Sequence, residues 1–141
     1  MTSRAGQLLV ASPKLADPNF AKTVTLIIEH GEGGALGLVL NRRTEARMCD
    51  VWEQVSASPC EHGGAVYQGG PCEGPLMAVH THAERSQFQP VEGVYVTADR
   101  DDLEWLMANN TGPMRCFVGY SGWGPGQLEE EIDTSSWLLV R

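Results

Sequence analysis

The 141-residue chain has no stretch approaching the roughly 18 consecutive apolar residues that cross a bilayer as a helix. Its longest apolar segments, 24–28 and 35–40, are interrupted by Thr25 and Gly37. The first residues, M-T-S-R-A-G-Q-L-L-V-A-S-P, contain only a short apolar run from Leu8 to Ala11, too little for the core of a secretory signal. The expectation is therefore a cytoplasmic protein with no membrane association. Cysteine is scarce, at positions 49, 60, 72 and 116 with no C-x-x-C pair, so a disulfide scaffold is not expected. All four are read as reduced thiols, with Cys49 and Cys116 as small buried hydrophobes. Basic side chains are also few, 10 Lys and Arg against 18 Asp and Glu, for a formal charge of −8. That balance argues against direct nucleic-acid binding, where cationic side chains displace counterions from phosphates. It equally argues against an anionic membrane surface. Internal repeats and heptads are absent, and no charge run exceeds 129–131.

Apolar residues make up 42% of the chain, enough for one globular domain over 1–141 with a core of its own. Sixteen glycines and eight prolines punctuate short apolar segments. Segments 7–11, 23–30 and 36–40 read as strands, the last two forming a hairpin through the glycines at 31, 33 and 34. In the second of these, Val24, Leu26 and Ile28 share one face. Asp17-Pro18-Asn19 reads as a turn. Met48, Val51, Trp52 and Val55 fall at i, i+3, i+4 and i+7, the stripe of an amphipathic helix. Strands are expected at 65–68, 76–82 and 94–97. A helix follows with Asp99 as N-cap and Leu103, Leu106 and Met107 on its buried side, stopped by the turn formers at 109–113. Segment 115–121 reads as one strand with Cys116, Val118 and Tyr120 on a common face. A short helix at about 127–132 and a strand at 137–140 complete the chain. Strands outnumber helices and do not alternate with them, so the fold class is α+β with a largely antiparallel or mixed sheet.

Four constellations could carry chemistry. Ser121 lies between a strand and a helix, as a nucleophile elbow does. However, Trp123 stands where G-x-S-x-G needs glycine, and all four histidines precede the serine. Cys60-x-His62 and His80-x-His82 supply metal-ligand residue types, and His80 and His82 would share a strand face, but no diagnostic spacing accompanies them. The glycine-rich run 122–126 enters a helix, where free N–H groups can hold an anion, yet it has no P-loop lysine and the adjacent Glu129, Glu130 and Glu131 oppose one. Arg42, Arg43 and Arg47 form a small basic patch next to Glu45, large enough for one carboxylate or phosphate.

Taken together the motifs resemble the bacterial YqgE/AlgH family. The resemblance rests on Gly6-Gln-Leu-Leu-Val-Ala-Ser-Pro13, Asp17-Pro-Asn-Phe20, Glu29-His30 and Gly34-Ala-Leu-Gly-Leu-Val-Leu-Asn-Arg42. It continues through Gly69-Gly-Pro71, Tyr95-Val-Thr97, and the long run Gly119-Tyr-Ser-Gly-Trp-Gly-Pro-Gly-Gln-Leu-Glu-Glu-Glu131 with Trp137 beyond. It implies a curved, barrel-like sheet flanked by a few helices, a cytosolic location, and no established catalytic set, cofactor or metal. The family's transcriptional-regulator label comes from alginate regulation and not from a DNA-binding motif. Relatives continue beyond the Trp137 strand, so a C-terminal extension is expected to be missing here. Arg43 replaces a proline common in relatives, and His82 is not a family position.

The function expected on these grounds is a non-catalytic regulatory or binding protein acting through protein partners or a small ligand, with any effect on transcription indirect. The alternative is an enzyme or metal protein with its site at the Asn41, Gly69 and Gly122 loops. Candidate ligand-binding residues are Asn41, Arg42, Gly69, Gly70, Pro71, His80, Ser121, Gly122, Trp123 and Gly124. A purely architectural role for these same residues is the competing explanation.

Overall fold

A computed structural model describes residues 3–13, 15, 17–18, 20–60, 64–109 and 112–140. The strands are β1 (Leu8–Ala11), β2 (Val24–Gly31), β3 (Gly34–Val39), β4 (Arg43–Arg47), β5 (Ala65–Gln68), β6 (Met77–His80), β7 (Phe88–Val91), β8 (Val94–Thr97), β9 (Arg115–Val118), β10 (Ser121–Trp123) and β11 (Trp137–Val140). The helices are α1 (Met48–Val55), α2 (Arg100–Asn109) and α3 (Gln127–Asp133). The first sheet has the order β10-β3-β2-β1-β11, antiparallel throughout. The second has the order β4-β5-β9-β6-β8-β7, with β5 and β9 parallel and its other pairs antiparallel.

Side-chain alternation along these strands stacks four layers. Leu26, Ile28 and Leu38 of the first sheet meet Met77, Val96 and Phe117 of the second, forming the central core. On the outer face of the first sheet, Leu9, Ile27, Trp123 and Trp137 pack with Leu128 of α3. On the outer face of the second, Val66, Ala78 and Cys116 pack with Met48 and Trp52 of α1 and Leu103, Leu106 and Met107 of α2. Both faces of β2 are therefore buried, which explains the uninterrupted apolar run Leu26-Ile27-Ile28 at its middle. The helix stripes read from the sequence point inward except at Val55, which is 55% exposed at the end of α1, and Asp99 caps α2, its Oδ2 accepting the N–H of Asp102 at 3.1 Å.

The expected barrel-like sheet is instead two stacked sheets, and among the described residues neither closes on itself. The reason lies partly at Gly119, whose φ of +76° breaks the expected 115–121 strand into β9 and β10 and carries the chain from the second sheet to the first. The break also turns Tyr120 away from the face shared by Cys116 and Val118, so it packs in the central core. Two strands were not legible beforehand. β4 holds mostly charged residues, and β7 contains Pro90, tolerated because β7 is an edge strand. The β2–β3 hairpin is tighter than expected, closing through Glu32 and Gly33 with Gly31 opposite Gly34. The reading of four reduced thiols is also corrected: Cys49 at the start of α1 is bonded to Cys60, 11 residues on, leaving Cys72 and Cys116 free. The spacing reading missed this because α1 reverses into the 56–60 loop, bringing the two Cα atoms within 5.5 Å. Among the described residues no helix is long and apolar enough to cross a membrane.

Candidate functional site

The two sheets join at one corner, and several candidate residues meet there. The N–H of Gln68 donates to the carbonyl of Arg42 at 2.8 Å, and the N–H of Val39 donates to the carbonyl of Gly69 at 2.8 Å. The same Gly69 carbonyl accepts the Ser121 hydroxyl at 3.0 Å. Ser121 is fully buried, so its oxygen is a structural donor and is not presented to a substrate. Gly69 and Gly70 are required by close approach. A Cβ on Gly69 would lie 2.5 Å from the Gly119 carbonyl oxygen, and one on Gly70 would collide with the Tyr120 backbone and the Ser121 hydroxyl. Pro71 follows on the exposed side of this corner.

The side chains of Asn41 and Arg42 turn toward a different segment. Asn41 Oδ1 accepts the N–H of Val24 at 2.9 Å while Nδ2 donates to the Lys22 carbonyl at 3.0 Å. Arg42 donates through Nη2 to the carbonyls of Pro18 at 3.0 Å and Ala21 at 3.1 Å. The Asn41–Arg42, Gly69–Pro71 and Ser121–Gly122 backbones thus adjoin, but Asn41 and the Nη2 of Arg42 hold the loop that leads into β2. Of the turn expected at 17–19, Asp17 accepts the N–H of Phe20 at 3.0 Å, while Asn19 lies outside the described residues.

His80 ends β6 and is 2% exposed. Its Nε2–H donates to the Arg85 carbonyl at 2.9 Å, and its Nδ1 accepts the N–H of His82 at 3.0 Å, which sets the tautomer. Burial holds its pKa below the ordinary value, the Arg85 contact opposing that in part. The His82 ring lies 6.1 Å from that of His80 and edge-on to Trp105 at 5.1 Å. Arg85 covers Trp105 at 4.8 Å. Both His80 nitrogens are occupied, so the ring has no lone pair left for a metal. No group of three or more metal-ligating residues occurs among the described residues, and His62 lies outside them.

In the 122–126 run, the Gly124 N–H is met by Gln127 Oε1 at 2.9 Å, so that loop amide is already satisfied by the protein. Trp123 is buried and joins an aromatic cluster. Phe20 is 6.4 Å from Trp123 and 5.5 Å from Trp137, and the two tryptophans are 6.2 Å apart at 75°. Both indole N–H groups donate to Glu131 Oε1, at 3.2 Å from Trp123 and 3.0 Å from Trp137, and Gln127 Nε2 donates to Glu131 Oε2 at 2.9 Å.

Among the cavities that adjoin the candidate residues are two that combine apolar walls with charged or polar groups. One, of about 450 Å³, opens between the sheets and is lined by Leu26, Val79, His80, Val94, Arg115 and Phe117, among others. Arg115 is exposed, donates through Nη1 to the Leu40 carbonyl at 3.1 Å and lies 4.2 Å over the Tyr67 ring. The second, of about 270 Å³, is lined by Asp17, Phe20, Gly122, Trp123, Glu131 and Trp137, among others. Neither touches Asn41, Arg42, Gly69, Gly70 or Pro71. Sequence reasoning missed Arg115, Val94 and Phe117 because each looks like an ordinary strand residue. It missed Phe20 and Glu131 as partners of Trp123 because they belong to separate segments.

A family model described as AlgH-like (DUF179) matches residues 8–141. The UPF0301 protein SCO2948 of Streptomyces coelicolor is 38% identical over 99% of this chain and 76% of its own length. A UPF0301 protein of Myxococcus xanthus is also 38% identical, over 99% of this chain and 80% of its own. Among solved structures, the AlgH protein of Pseudomonas aeruginosa superposes with a TM-score of 0.79 at 35% identity, covering 98% of this chain and 77% of that one. Protein DIP2367 of Corynebacterium diphtheriae gives 0.77 at 29% identity, covering 96% and 74%.

Proposed function

The chain belongs to the AlgH-like family, and on that premise we propose that it is a non-catalytic binding protein whose ligand is a small, mainly apolar molecule with an acidic or carbonyl end, held in the cavity between the sheets. The observation that carries this reading is the cavity itself. Its volume of about 450 Å³ falls within the range of small-molecule sites, roughly 300–1,000 Å³. Its lining is mostly aliphatic and aromatic, which favours retention of a ligand by burial. The His80 ring is committed to Arg85 and His82, so no free acid–base group is supplied from that side chain. Arg115 uses one of its five N–H donors on Leu40, leaving others for a carboxylate or carbonyl oxygen. Regulation would follow when the liganded form is read by a protein partner, and the surplus of acidic residues favours that route over direct contact with a duplex.

The test is a titration of the full chain with octanoate and, separately, octanol, followed by backbone amide shifts. Saturable shifts at Val79, Val94 and Phe117, stronger with octanoate and abolished in Val94→Trp, are expected. Absence of saturable shifts at these residues with either compound would sink the reading.

A further inference from the structure

We propose that the second cavity, beside β10 and α3, is a binding site for an alkylated ammonium group. This is independent of the ligand assigned to the inter-sheet cavity. Three features of the cavity carry the inference. The first is its aromatic wall. Phe20, Trp123 and Trp137 come from the loop before β2, from β10 and from β11, and all three line a space of about 270 Å³. Aromatic faces carry negative quadrupole charge and attract a cation positioned over them, most strongly at tryptophan.

The second feature is how the indoles are tied. Each directs its N–H, the positive edge of the ring, to the same Glu131 oxygen. A single carboxylate therefore fixes both rings and takes up their positive edges, leaving the ring faces as their remaining polar character. Gln127 completes the clamp on the other carboxylate oxygen. Rings tied this way are fixed in position, and Trp123 and Trp137, 6% and 2% exposed, each border the cavity with a small part of the ring.

The third feature is charge. The described residues lining the cavity include two acidic side chains, Glu131 and Asp17, and no cationic one. Asp17, Gly122 and Gln127 are exposed, so the cavity meets solvent on their side. Arg42 grips the same loop through the carbonyls of Pro18 and Ala21 but does not line the cavity. An anion would face two carboxylates here, and an uncharged apolar group would gain nothing from them. A compact ammonium with methyl substituents satisfies both, its methyls against the rings and its charge toward Glu131 and Asp17. The volume lies just below the usual range for drug-sized ligands, about 300–1,000 Å³, which suits a head group more than a large molecule.

The chemistry could be supplied by a free alkylammonium metabolite or by a methylated lysine side chain, and the experiment separates the two. The full chain, ¹⁵N-labelled at its indoles, is titrated with choline and with 3,3-dimethylbutan-1-ol, which has the same shape without the charge. The Nε1–H resonances of Trp123 and Trp137 are expected to shift saturably with choline while those of Trp52 and Trp105 stay in place. The neutral alcohol should bind at least about tenfold more weakly, the effect of one favourable cation–ring contact. Asp17→Asn, which removes the charge at an exposed residue while keeping its shape, should weaken choline about threefold, as expected for one partly screened charge. Glu131→Gln, which keeps an acceptor for the indoles, should weaken it about tenfold or more. If Glu131→Gln does not fold, the comparison of the isosteres and the Asp17 variant decide. A peptide bearing trimethyllysine that binds more tightly than choline, with the unmodified lysine peptide weaker, assigns the site to a protein side chain; the reverse order assigns it to a free metabolite. Equal binding of choline and the neutral alcohol, or no shift at Trp123 and Trp137 up to about 10 mM choline, overturns the proposal.

Discussion

His80 is gripped at both ring nitrogens and almost wholly removed from solvent, so protonating it costs the Nδ1 acceptor role as well as hydration. Its native pKa lies below the ordinary 6.5, burial being the main cause. The unfolded chain therefore takes up a proton at this ring at higher pH than the native chain does. The associated stability is complete above about pH 6.5 and declines as pH falls toward the native pKa. Urea midpoints measured down this range should fall for the parent protein and fall less steeply for His80→Gln. An equal slope in both would show that another group is responsible. Glu129 acts in a separate, more acidic window: the hydrogen bond from His30 Nε2–H at 2.9 Å holds its carboxyl below the ordinary 4.5. Cys116 is the opposite case, a thiol pushed up to about 12 by burial and so inert at neutral pH. At the sheet corner the decisive residue is Gly70, where any Cβ meets backbone that has no room to move. Gly70→Ala should cost about 3 kcal/mol or more, or prevent folding, as overpacking against rigid backbone does. Denaturant unfolding checks this, and a loss under about 1 kcal/mol would show that the corner relaxes.

Among the elements, α1 and α2 were legible because each carries an apolar stripe at helical spacing, and α2 also begins with a side-chain cap. α1 has no side-chain cap, and its first turn is instead anchored by the Cys49–Cys60 bond. Closing a loop of 11 residues restricts the unfolded chain by about 2–3 kcal/mol in the chain-entropy account. Cys60→Ser is therefore expected to lower stability by about that amount. Adding reductant should destabilise the parent protein and leave the variant unchanged. If reductant has no effect on the parent, the bond does not contribute to its stability. Strand β7 and the β9–β10 junction show the reverse relation between pattern and structure. No strand was assigned at 88–91 from the sequence, and Pro90 is accommodated there because an edge strand has a side that needs no N–H donor. The 115–121 run looked like one strand because its residues are β-formers, and a single left-handed glycine divides it between two sheets.

For the whole molecule, sheet stacking leaves a largely apolar cavity open between the sheets and an aromatic, acidic cavity on the outer face of the first sheet. The net charge of −8 acts over the whole surface, so a duplex should show no retained gel shift. Any weak shift at low salt should vanish near physiological ionic strength. A sequence-selective shift that survives such salt would contradict the indirect role proposed for the protein.

The sequence alone determined the α+β class, most strand and helix positions, the cap of α2 and the inward faces of both long helices. These depend on residue type and short spacing, which physical chemistry reads locally. The family resemblance was carried the same way, by motifs whose order along the chain is enough. Only the tertiary structure decided that the sheet is two stacked sheets and that Cys49 meets Cys60. It likewise decided that Ser121 is buried behind Gly69, and that Phe20, Trp123, Trp137 and Glu131 converge on one cavity. Phe20 and Glu131 are more than a hundred residues apart in the chain, and no local pattern encodes a meeting at that separation. It arises when buried faces from distant segments are forced to share the limited interior available to them.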